Sequence, residues 1–190
     1  MQTMDETDAP GAEPGASSTK FDTEVLVLGV GNVMLCDEGL GVHTARHLLD
    51  NYIFPPGVDV VDGGIGGLGL LSFIRSARRV IIIDAIETGS KPGSIFMFDA
   101  GEIEEVEKTR FSLHDMGIID VLNTASLMGN EPESTIIGVQ PEKMDEFGGD
   151  MSEAVCSSMI RVIELVMEQL QSENLSPHPK GICSHFQQNS

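Results

Sequence analysis

Four carboxylates and one histidine occupy places where a folded chain can put them to chemical use. Asp37 and Glu38 follow the glycine turn Gly29-Val30-Gly31, Asp62 opens an Asp-Gly-Gly triplet, Asp84 ends the apolar run Val80-Ile81-Ile82-Ile83, and His114 precedes a helical pattern. Glu38, Asp84 and His114 form a two-oxygen, one-nitrogen set. Such a set suits a divalent cation, and three protein ligands leave positions open for water or for a ligand brought by a partner. Their spacing is irregular, so the signal lies in all three mapping to one rim of a sheet.

Each group also has a plainer reading. Asp84 follows four apolar β-formers, so its charge must be paired or coordinated: it is either an acid that ties down a loop or a site group. His114 either bonds backbone in a loop or, beside a helix N-terminus, keeps a neutral imidazole able to bind metal. The two neighbouring acids separate on a helical wheel. At about 100° per residue, Leu40, Val42, Ala45, Leu48 and Leu49 define one face, with Glu38 about 30° from its centre and Asp37 about 70° away. Glu38 is therefore the site candidate, and Asp37 is read as support for the helix start through capping and the dipole.

Three other patterns invite chemistry. Gly29-Val30-Gly31 resembles half of a dinucleotide loop, with Asp62 as its ribose acid, but Met34 stands where the third glycine belongs and Asp37 and Glu38 would repel a pyrophosphate. His43 and His47 have the i, i+4 spacing of a zinc helix, yet Thr44 replaces the glutamate and both lie opposite the apolar face, as a solvated pair does. Cys36 is either a nucleophile activated at a helix N-terminus or an incidental loop cysteine, and no base and orienting group accompany it.

The elements that must carry these groups alternate. Val25–Val30, Val58–Val61, Arg79–Asp84, Ser94–Phe98 and Ser134–Gln140 read as strands, the fourth as a possible edge. Residues 37–50, 67–77, 115–128 and 152–171 read as helices, the last capped by Asp150 or Ser152. This predicts an α/β three-layer sandwich, a mostly parallel twisted sheet of about five strands with helices on both faces. Ligands of such sheets bind beyond the carboxyl ends of the strands, where the acids fall. Residues 1–22 read as a disordered acidic tail, 23–171 as the single domain, and 172–190 as a flexible C-terminal tail.

A net charge of −19 makes nucleic acid and anionic membranes poor partners. No secretory signal and no membrane-spanning run is visible. The three cysteines, Cys36, Cys156 and Cys183, have no paired spacing, which fits a reducing cytoplasm.

Taken in order, Gly29-Val30-Gly31-Asn32, Asp37-Glu38-Gly39, Asp62-Gly63-Gly64, Ile83-Asp84-Ala85, Ser112-Leu113-His114 and Gly138-Val139-Gln140-Pro141-Glu142 resemble the hydrogenase maturation proteases. The resemblance spans about residues 24–170, with Ile65 where a threonine is common. It implies a cytoplasmic endopeptidase that removes a C-terminal extension from the precursor of the nickel-iron hydrogenase large subunit after nickel insertion; the sequence does not show the oligomeric state, and a monomer is the default expectation. It implies that Glu38, Asp84 and His114 are both the metal ligands and the catalytic group set, and that Asp62, Gly63 and Gly64 form a loop that recognises the precursor. The nickel is then the substrate's, and purified protein holds no metal or an adventitious divalent ion. Two other classes share these features: a chaperone that checks nickel without cutting, and a related α/β peptidase with another substrate, such as a spore protease.

Overall fold

A computed structural model describes residues 21–100, 110–111, 117–144 and 146–181. The strands are β1 (Thr23–Val30), β2 (Tyr52–Ile53), β3 (Val58–Gly64), β4 (Ala77–Glu87), β5 (Ile95–Asp99), β6 (Arg110–Phe111), β7 (Glu133–Val139) and β8 (His178–Pro179). The helices are α1 (Leu40–Asn51), α2 (Leu71–Ser76), α3 (Ile118–Leu127) and α4 (Glu153–Ser172). The main sheet runs β3-β1-β4-β7-β5. Its first four strands are parallel and β5 lies antiparallel on the edge. The expected sandwich is therefore present, with the fourth predicted strand at the edge.

Alternation along the strands separates two cores. Val25, Val27, Ile81, Ile83, Ile137 and Val139 face α1 and α4. Leu26, Leu28, Val80, Ile82 and Ile136 face α2 and α3. β4 is covered on both faces, which explains its uninterrupted apolar run. Register then sets the site: Gly29 pairs with both Asp62 and Ile83, and Asp84 with Gly138, so the acids gather at the carboxyl ends of the strands.

Three details depart from the sequence reading. The expected helix over 37–50 is a 3₁₀ turn, Cys36–Gly39, followed by α1. The segment 67–77 is likewise a 3₁₀ turn, Gly67–Leu70, followed by the short α2. Beyond α4 the chain runs back along the domain: β8 pairs with β2, and Lys180 Nζ donates to the Leu49 carbonyl at 2.5 Å. Ser152 caps α4, accepting from Val155 N.

Candidate functional site

Strand β1 delivers Glu38 through two glycines. Gly31 adopts φ +131°, open to glycine above all other residues, and a Cβ there would collide with the Glu38 carbonyl. Gly41, one turn on, packs against Val30 and the Ile83 carbonyl so closely that any side chain would strike backbone. These contacts seat the start of α1 directly on the ends of β1 and β4. Glu38 is 3% exposed and Asp84 2% exposed.

The two carboxylates lie close enough to feel each other. Burial pushes the Asp84 carboxyl well above the usual carboxylate range, the Ala85 amide pulls it back, and the Glu38 charge raises it further. Ala85 N donates to Asp84 Oδ1 at 2.8 Å. A buried pair of acids with this mutual repulsion is a place where a cation or a shared proton is favoured. His114 lies outside the described residues. It stands three places before Gly117 in the sequence, and Gly117 and Ile118 line a cavity together with Asp84. Val30, Ile65, Leu70 and Val121 supply its apolar wall.

Asp62 sits at the same end, on the edge strand. Its carboxylate accepts from Arg46 Nε at 2.7 Å and from Gly64 N at 3.1 Å, shaping the Asp-Gly-Gly turn, whose Gly64 has φ +50°. The ion pair is half-exposed and worth at most about 1 kcal/mol. The turn is therefore held by its own side chain. Sequence alone shows no sign of Arg46 as the partner.

Asp37 has a different role from the one expected. The turn Cys36–Gly39 has no side-chain cap. Instead the wholly buried Asp37 carboxylate accepts from Glu142 N and Lys143 N at 2.8 Å, Ser152 N at 2.6 Å and Ser152 Oγ at 2.9 Å. It supports the start of α4, more than a hundred residues away, and not the start of α1. Each donor stranded by its removal would cost about 1–3 kcal/mol. Cys36 is buried at φ +36°, and its thiol donates to the carbonyls of Glu146 at 3.3 Å and Gly148 at 3.2 Å. That is a fastening role, and no base stands among its hydrogen-bond partners. His43 and His47 are half-buried on α1, and burial followed by Arg46 lowers the His43 pKa against the pull of Asp62.

Exposed apolar side chains rim this end of the sheet: Met34, Ile65 and Phe147 on loops that follow strand ends, and Leu68 on the 3₁₀ turn after β3. No helix among the described residues is long and apolar enough to cross a membrane.

Known proteins resemble this chain in sequence and fold. The family profile "Hydrogenase maturation protease" matches residues 42–169. The hydrogenase expression/formation protein HoxM of Azotobacter vinelandii is 36% identical over 172 residues, covering 83% of each chain. The hydrogenase maturating endopeptidase HybD from Escherichia coli superposes with a TM-score of 0.76 at 31% identity, over 83% of this chain and 98% of its own. A nickel-iron hydrogenase maturation protease, HybD from Thermococcus kodakarensis, gives a TM-score of 0.65 at 29% identity, over 77% of this chain and 99% of its own.

Proposed function

Because the chain belongs to the hydrogenase maturation protease family and is an endopeptidase of that kind, we propose that it removes the C-terminal extension of a nickel-iron hydrogenase large-subunit precursor in the cytoplasm, using the precursor's nickel as the signal that loading is complete. The observation that carries this reading is the pair of buried carboxylates, Glu38 and Asp84, coupled to each other at the carboxyl end of the sheet. A divalent cation arriving with the substrate relieves their repulsion. With His114 as a nitrogen donor, the set leaves coordination positions for groups the nickel already carries.

In this scheme the metal supplies proximity. It anchors the precursor so that the scissile bond lies beside the two acids. A carboxylate oxygen of Glu38 or Asp84 that the metal leaves free then takes a proton from water, within the ordinary reach of general-base catalysis. The turn Asp62-Gly63-Gly64 and the apolar rim of Met34, Ile65, Leu68 and Phe147 flank the entry and offer the precursor a contact surface.

The test is incubation of the purified protein with nickel-loaded and nickel-free precursor. Release of the C-terminal peptide from the loaded form alone is the expected result. Equal cleavage of both forms would reassign the chain to a peptidase that does not read nickel. Nickel-dependent binding without peptide release would make it a checking chaperone.

The narrow cavity beside Asp84, about 20 Å³ and so room for one water or methyl-sized group, admits the tip of an uncharged substrate side chain next to the cut bond. Gly117 tests this, because its φ of −63° and ψ of 161° suit any residue and a Cβ there meets no described atom within 4 Å. Gly117→Val is expected to lower kcat/KM about tenfold, roughly 1.4 kcal/mol, with the melting temperature unchanged. Unaltered kinetics across precursors with different residues at the cut would exclude the cavity from substrate binding.

A further inference from the structure

We propose that Asp37 and Cys36 are positioning residues for Glu38, acting through the segment 141–152 between β7 and α4. The proposal rests on the reading of Glu38 as a site group given above. The 3₁₀ turn that carries Glu38 has no side-chain cap, and it begins at Cys36, whose φ of +36° is unfavourable for a residue with a side chain. Within the turn Glu38 N donates to the Leu35 carbonyl at 2.9 Å and Leu40 N to the Asp37 carbonyl. The remote segment adds the side-chain fastening that the turn lacks.

The stitching runs along the whole turn. Gly148 N donates to the Met34 carbonyl at 2.8 Å, the Cys36 thiol donates to the Glu146 and Gly148 carbonyls, and Asp37 N donates to the Lys143 carbonyl at 3.2 Å. The Asp37 carboxylate collects three backbone amides and the Ser152 hydroxyl. A buried carboxylate satisfied wholly by donors of one segment is a rigid link. On its other side the Glu38 backbone rests on Gly31, where no side chain fits. Glu38 is thus held between a glycine and a clamp. The segment 141–152 thereby helps set where the Glu38 backbone lies at the ends of β1 and β4.

Asp37→Asn is the mildest probe. With its amide oxygen facing Glu142 N, Lys143 N and Ser152 Oγ, its NH2 faces Ser152 N, donor against donor. Cys36→Ala is the second, independent probe, since it removes only the thiol donations. Two readouts are taken well below each variant's melting temperature: kcat and KM for precursor cleavage, and amide hydrogen exchange. The expected result for Asp37→Asn is kcat lowered 10- to 30-fold with KM within twofold, and exchange over residues 34–40 at least tenfold faster. Cys36→Ala is expected to change both in the same direction, about threefold. A purely structural role would lower the melting temperature and leave kcat intact. That outcome, or faster exchange over 142–152 with residues 34–40 unchanged, overturns the proposal. Should Asp37→Asn not fold, Cys36→Ala carries both readouts. Should the wild-type protein cleave no precursor, the functional reading falls, and the exchange pattern alone still decides whether the clamp holds the Glu38 turn.

Discussion

Asp84→Asn loses about 10³-fold in precursor cleavage yet melts above the wild-type protein at pH 7. The loss follows from removing a group within the range of acid–base and positioning effects, about 4 kcal/mol of transition-state stabilisation. The gain follows from burial. Asp84 is 2% exposed, and burial, reinforced by the Glu38 charge, raises its pKa in the folded chain above the ordinary value of about 3.9. Between that ordinary value and the raised one, the folded state holds a proton that the unfolded state has released. The unfolded state therefore binds fewer protons, and stability falls as pH rises through the window. Above it, the whole penalty is present. The neutral amide of the Asp84→Asn variant carries no such penalty, so its advantage, about 1–2 kcal/mol, is largest at neutral pH and shrinks as pH approaches 4. For a domain of this size that is about 2–8 °C. Glu38→Gln and His114→Ala are expected to lose processing to a similar degree. Thermal melts at pH 7 and pH 4.5, beside the cleavage assay, decide the matter. A variant that processes precursor at the wild-type rate removes its residue from the site, and an Asp84→Asn protein that melts lower at pH 7 contradicts the account of burial.

Gly41→Ala unfolds the domain or lowers its melting temperature by more than about 10 °C, corresponding to at least about 3–4 kcal/mol. The added methyl would strike the Ile83 and Val30 carbonyls, and Val30 N lies 2.8 Å from its position. All three are backbone atoms in paired strands, so none yields without breaking the β1–β4 register. Gly69→Ala is the control, since no described atom beyond its chain neighbours lies within 4 Å of a Cβ there. Its melting temperature stays within about 2 °C of wild type. Circular dichroism melts of the two variants suffice, and a Gly41→Ala protein as stable as the control would show that α1 does not need this close approach.

Both results bear on how the site is assembled. The placement of the acids was legible because strand ends in a parallel sheet are visible as apolar runs that stop. Asp84 after Val80–Ile83 and Asp62 after Val58–Val61 were placed by that rule alone. Glu38 was placed inward by helical spacing, and it is indeed buried, although the residues around it form a 3₁₀ turn. The partners of Asp37 were not legible. Its wheel position suggested local capping, whereas its donors are Glu142, Lys143 and Ser152. The fastening role of Cys36 was not legible for the same reason: the carbonyls that accept from its thiol belong to Glu146 and Gly148.

The sequence by itself determined the alternation of strands and helices, the central place of β4 and the rim on which the acids stand, and it narrowed the cap of α4 to Asp150 or Ser152, of which the structure uses Ser152. These follow from periodicity and turn chemistry, which act over a few residues and leave their mark in the order of side chains. Only the tertiary structure decided that Arg46 holds Asp62, that β8 returns to pair with β2, and that the Glu38 turn is fastened from the far end of the domain. A hydrogen bond spanning more than a hundred residues depends on where two backbones meet after packing, and no local pattern in either segment specifies it.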